Sequence, residues 1–244
     1  MDPYLNRDVY RSRTQNEGLT RFRVTLDETD LFIASAKDIS GEALKYVREI
    51  RLVIEEAIKK DSSFKSSLRP IDIFDDDPEE IRVMKNAGKL CRVGPMAAVA
   101  GMVSEYVGKK LLLMTDTVIV ENGGDIFMRS SSPVNVGIYA PGSVLSGKLG
   151  IAADASEGIG VCTSSGTYGH SLSFGSSQAA VAVSPDTALA DAAATRLGNL
   201  LKDPSRIERA LEEIMGIEGI IGAAAVVDDR IGFLGDLEVR VLSL

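Results

Sequence analysis

The sequence predicts an α+β fold, a mostly antiparallel sheet with helices packed on one face. Two observations predict it. Short strand-type runs come in groups, and so do segments of helical periodicity, whereas a parallel sheet would alternate one strand with one helix. The order of strands, two helices and strands also occurs twice along the chain, which suggests duplication of one unit, shared in pattern rather than residue by residue. With 244 residues, 45% apolar and 25% charged, the chain has the material for a packed core. We read it as one domain, 1–244, built of two halves at approximately 20–125 and 126–244.

Residues 1–20 are polar and bear Arg7, Arg11 and Arg13, as an arm or a first edge hairpin would. Residues 22–26 and 30–34 flank the polar Asp27-Glu28-Thr29 and read as a hairpin. Ser40 is placed to cap a helix in which Leu44, Val47, Ile50, Val53, Ile54, Ala57 and Ile58 recur at helical spacing. The acidic run 75–80 lacks the glycine-turn spacing of a calcium loop and reads as solvated surface or a helix opening. A second helix begins at Gly94-Pro95 and continues to Gly108, with small residues that permit close backbone approach. Runs at 116–121, 126–128 and 134–139 continue the sheet, followed by strands at 148–153, 160–163 and 179–183. Helices at 186–200 and 204–215 precede closing strands at 220–227, 231–234 and 238–242.

Composition narrows the function classes. Twenty-seven basic against 35 acidic side chains give a net charge of −8, which opposes binding to nucleic acid or an anionic membrane. A single histidine, His170, excludes multi-histidine zinc sites, and Cys91 and Cys162 are too few for an iron–sulfur cluster, so a metal would be held by oxygen. The two thiols read as buried and unpaired. The first residues lack a signal-peptide apolar region and no apolar run approaches the roughly 18 residues of a membrane span, so the expectation is a cytoplasmic, soluble protein.

Four segments carry candidate chemistry. Gly94-Pro95-Met96-Ala97-Ala98-Val99-Ala100-Gly101 opens a helix where free N–H groups suit a phosphate, or where a neighbour packs tightly. Glu121-Asn122-Gly123-Gly124-Asp125 combines a turn signal with polar residues a plain hairpin does not need. Residues 162–175 bring six hydroxyls, three glycines and His170 together, a donor set suited to phosphate or ribose. His170 is expected to orient a ligand or its loop rather than act as a base, since no nucleophile elbow accompanies it. Asp191 and Thr195 lie four apart on one helix face, as part of an oxygen-rich magnesium site or as a helix-opening acid. The four segments are expected in one cleft between the halves.

Taken in this order, the segments resemble the ApbE superfamily, the FAD:protein FMN transferases. From about Tyr10 onward the chain resembles more closely an uncharacterised ApbE-like family of archaea and anaerobic bacteria, through Gly94 to Gly101, Glu121 to Ile126, Gly160 to Thr167 and Gly169 to Gly175. The resemblance implies a duplicated T-fold architecture. Gly123-Gly124-Asp125 is similar to the transferases' Gly-Gly-Asp turn, residues 163–166 to their Thr-Ser-Gly loop, and Ala190-Asp191-Ala192-Ala193-Ala194-Thr195 to the helix start that carries magnesium. It therefore implies Mg2+ at Asp191 and Thr195, and a small phosphate-bearing ligand, a nucleotide or a flavin such as FAD. That ligand would contact Gly94, Gly101, Asn122, Gly123, Gly124, Asp125, Thr163, Ser164, Ser165, Gly166, Thr167 and His170. A protein acceptor for FMN is implied too. No residue is assigned a catalytic role. The chain departs from the transferases in lacking an Asp-Pro-x-Thr-Gly segment after His170, and in having Ala100 where many carry lysine. Those departures keep open an alternative, a non-flavin accessory or binding protein of anaerobic sulfur metabolism.

Overall fold

The computed structural model describes residues 18–165 and 175–242. Residues 1–17 of the arm or edge hairpin expected at 1–20, and Gly166, Thr167 and His170 among the candidate residues, lie outside the described residues. Strands β1 (Thr20–Leu26) and β2 (Thr29–Ser35) form the first hairpin, followed by helices α1 (Ser40–Lys60), α2 (Ser63–Ser66) and α3 (Glu79–Cys91). A 3-10 turn, Pro95–Ala98, leads into α4 (Val99–Leu111), and then come β3 (Val118–Asn122) and β4 (Asp125–Arg129). The excursion β5 (Val134–Gly137) and β6 (Leu149–Ala153) separates these from β7 (Ile159–Ser164) and β8 (Ala179–Ser184). Helix α5 (Thr187–Leu200), the 3-10 turn Pro204–Arg206 and helix α6 (Ile207–Met215) precede β9 (Gly222–Val227), β10 (Arg230–Gly235) and β11 (Glu238–Val241).

An eight-stranded sheet runs in the order β1-β2-β3-β4-β7-β8-β9-β10, with every neighbour antiparallel. The alternation of side chains along each strand divides the interior in two. Leu31, Ile33, Val118, Val120 and Phe127 face the helices, while Ala34, Ile119, Ile126, Met128 and Val183 face the other way. That second face is covered by a three-stranded sheet, β11-β6-β5. Here the structure corrects the sequence reading, which let the run at 134–139 continue the main sheet and joined 238–242 to the closing hairpin. The reason is physical: β8 and β9 are buried at every residue, so their sheet must be covered on both faces.

Two local readings also change. Ser40 makes no cap bond and is already helical; its N–H donates to Asp38 Oδ1 at 2.9 Å, so the cap comes from two residues upstream. The acidic run is only partly solvated. Asp77 and Lys85 form a buried ion pair at 2.6 Å that ties the segment before α3 to that helix, while exposed Asp76 pairs with Lys60. Cys91 and Cys162 are buried and unpaired, as expected. No described helix is long and apolar enough to cross a membrane.

The strand pair, helices, strand pair order occurs on both sides of the β4–β7 junction. At that junction α4 and α5 cross the sheet side by side. Helix α5 is alanine-rich because it is enclosed on nearly every side: Ala188, Ala190, Ala192, Ala193 and Ala194 have no exposed surface.

Candidate functional site

Hydrogen bonds link the four segments beneath the α4–α5 contact. Helix α4 has a backbone donor to satisfy in its first turn. The Gly101 N–H meets it by donating to Asp191 Oδ2 at 2.8 Å, and a Cβ at Gly101 would stand 2.3 Å from the Thr187 carbonyl oxygen. Glycine here is thus the condition for the helix contact. Gly94 answers to a similar demand, since its Cβ would strike the Ser67 carbonyl oxygen at 1.8 Å.

The Asn122–Asp125 segment is a two-residue hairpin turn, with Gly123 at φ 68° and Gly124 at φ 113°, a region that strongly favours glycine. Its polar residues do more than close the turn. Asn122 Nδ2 donates to the Ala100 carbonyl at 3.2 Å, which fixes the turn to α4. Buried Glu121 accepts the Gly124 N–H at 3.1 Å, and the Gly124 carbonyl accepts the Thr163 N–H at 3.2 Å.

Asp125 and Cys162 are direct partners across β4 and β7. Because Thr163 and Gly124 are joined by the ladder bond, Asp125 and Cys162 form the closely spaced pair in which side chains meet. Burial pushes the Asp125 carboxyl up to about 7; the Cys162 thiol opposes that rise and the Glu121 charge adds to it. Burial likewise raises Asp191 well above the carboxylate range, reinforced by the Asp125 charge and opposed by the Gly101 N–H. Cys162 is raised too, by burial and then by the charges of Asp125 and Asp191, so this thiol is no ready nucleophile. A buried carboxyl raised by burial and by a neighbouring acid stays protonated or admits a cation.

Thr195 is buried one turn beyond Asp191. Ser164 is buried at the end of β7, Thr163 and Ser165 are half-buried, and among the described residues neither the Ser164 hydroxyl nor the buried Thr187 hydroxyl has a hydrogen-bond partner. Among the described residues no three His, Cys, Asp or Glu side chains cluster as a metal cage.

One participant escaped the sequence reading. Glu105 is buried on α4 and its Oε2 accepts the Thr187 N–H at 2.7 Å, while Lys109 pairs with its other oxygen at 2.5 Å. The two helices therefore trade carboxylates: Asp191 of α5 receives an amide of α4, and Glu105 of α4 receives the first amide of α5. The available signal was a lone acid sharing a helix face with Gly101 and Gly108.

Comparison with known proteins bears on the family and the fold. A family model described as AbpE bacteria matches residues 11–238. The UPF0280 protein of Methanocaldococcus jannaschii is 37% identical over 222 residues, which cover 88% of this chain and 90% of that protein. Among solved structures, the apo form of the flavinyl transferase ApbE of Pseudomonas stutzeri superposes with a TM-score of 0.55 at 16% identity, covering 90% of this chain and 94% of that one. The ApbE protein of Thermotoga maritima gives 0.55 at 11% identity, covering 88% and 96%. These likenesses show an α+β, ApbE-like fold. With a family match that spans nearly its whole length, the chain belongs to the ApbE-like family described as AbpE bacteria.

Proposed function

We propose that this protein binds a nucleotide or flavin together with Mg2+ where the four segments meet, and acts as an FAD-dependent FMN transferase toward a protein acceptor. The observation that carries the reading is buried Asp191, whose Oδ2 accepts the Gly101 N–H in the first turn of α4 and whose proton affinity is raised by burial and by the charge of a second buried acid, Asp125. Folding alone does not call for such a pair, and a divalent cation relieves it. The division into halves at approximately 20–125 and 126–244 belongs to the same proposal, with the site at their junction.

The donor set fits magnesium in type. Asp191 and Thr195 would hold it as oxygen ligands, with ligand oxygens and water completing six-coordination. When bound, it neutralises charge on a pyrophosphate and so eases displacement. The chain's own groups do the rest. The Asn122 amide keeps the Gly123-Gly124 turn against α4, and the turn's missing side chains leave room for backbone-close approach of a ligand. The Ser164 hydroxyl, buried and without a partner among the described residues, is free to meet a ligand oxygen, and its sequence neighbours Thr163, within β7, and Ser165 are further proposed contacts. Gly166, Thr167 and His170, which follow in the sequence, are proposed contacts as well.

The test is titration of purified protein with FAD, with and without Mg2+, followed by absorbance and calorimetry. Magnesium-dependent FAD binding that is lost in Asp191→Ala supports the reading; absence of any flavin binding overturns it and favours the non-flavin alternative.

A further inference from the structure

We propose that β10 pairs antiparallel with β10 of a second copy of this chain, so that two eight-stranded sheets become one continuous sheet. The two ends of the sheet are unlike. At one end β1 presents Arg21 and Arg23, and Arg23 is held by Asp30 at 2.6 Å; charges of this kind keep an edge from recruiting another strand. At the other end β10 reads Ile231-Gly232-Phe233-Leu234-Gly235 after Arg230, an uncharged run.

The register shows which backbone groups β10 offers. Arg230 closes the two-residue turn opposite Val227, and the Asp236 N–H donates to the Ile221 carbonyl at 2.9 Å, so even-numbered residues bond toward β9. The N–H and C=O groups of Ile231 and Phe233 therefore point outward, where no described strand lies. Gly235 does not join them, because its carbonyl accepts the Leu237 N–H.

This pattern is complementary to itself. Two copies placed antiparallel about Gly232 bring Ile231 of each opposite Phe233 of the other, with both donors and both acceptors of every pair matched. The side chains then make two aromatic and β-branched cross-strand pairs on the face that covers the second core, where Ile231 and Phe233 already pack. The two Gly232 residues fall at the closely spaced central position and put no side chain between the strands. On the helix face, Arg230 of each copy lies diagonal to Asp236 of the other, within reach of a long side chain, and its stem covers Leu234, which is 40% exposed in the single chain. An unrelated strand would have to supply the same order of apolar and charged residues; a second copy supplies it by symmetry.

The contact is short, so the dimer forms in proportion to concentration. Sedimentation equilibrium from about 1 μM to about 1 mM tests it. We expect a monomer–dimer equilibrium that Arg230→Glu weakens by about fivefold, and that Arg230→Glu with Asp236→Arg restores. Ile231→Pro removes an outward N–H, a change that an edge strand accommodates, and should give a monomer with native circular dichroism. A single chain's mass across the whole range overturns the proposal. So does a dimer that persists unchanged in both Arg230→Glu and Ile231→Pro.

Discussion

Asp191 and Gly101 are joined by a 2.8 Å hydrogen bond between neighbouring helices, and the bond exists only because position 101 has no side chain. Gly101→Ala would drive a methyl group into the Thr187 carbonyl. We expect a loss of about 1–3 kcal/mol in urea unfolding, from overpacking and the separation of Asp191 from its donor.

Stability should depend on pH through Asp125. Its folded-state value near 7 stands above the ordinary 3.8, so the folded chain keeps a proton that the unfolded chain has released. Its contribution is complete below about pH 4 and declines as pH rises toward 7, by an amount on the order of a few kcal/mol. Urea midpoints between pH 5 and 8 should fall in the wild type. Asp125→Asn, which cannot ionise, should flatten that slope; an equally steep slope in the variant would remove Asp125 as its source.

The Asp77–Lys85 pair is buried on both sides, so removing one member strands the other. Lys85→Met should destabilise the chain by about 3–5 kcal/mol, while Lys85→Met with Asp77→Leu should recover much of the loss. Thermal melts of the two variants decide it.

Glu105 holds the first amide of α5. Glu105→Gln keeps an acceptor for the Thr187 N–H and should cost little. Glu105→Ala leaves that buried donor unsatisfied and should cost about 1–3 kcal/mol, read by denaturant unfolding. Equal losses in the two variants would show that the charge, not the hydrogen bond, is what matters.

The parts of this fold that could be read in advance are those encoded within a few residues. The alternation of Leu31, Ile33 and their neighbours marks a strand, and the spacing of Val47, Ile50 and Ile54 marks a helix face, because each pattern repeats within one element. The second sheet could not be read that way: β11 resembles any short closing strand until its pairing with β6 is known. The site divides similarly. Asp125, Asp191 and the glycines stood out by residue type and local context, but Glu105 serves a helix some eighty residues later and carries no local mark of that task. Likewise Cys162 read as an ordinary buried thiol, because its position opposite Asp125 is a property of strand register.

The second sheet has a bearing on biosynthesis. Strands β5 and β6 emerge from the ribosome about ninety residues before β11, the strand that must close over them. Until then the apolar side of the large sheet behind Met128, Val181 and Val226 is only partly covered. A nascent chain halted before residue 238 would therefore be a target for chaperones and proteases even with its helices already in place.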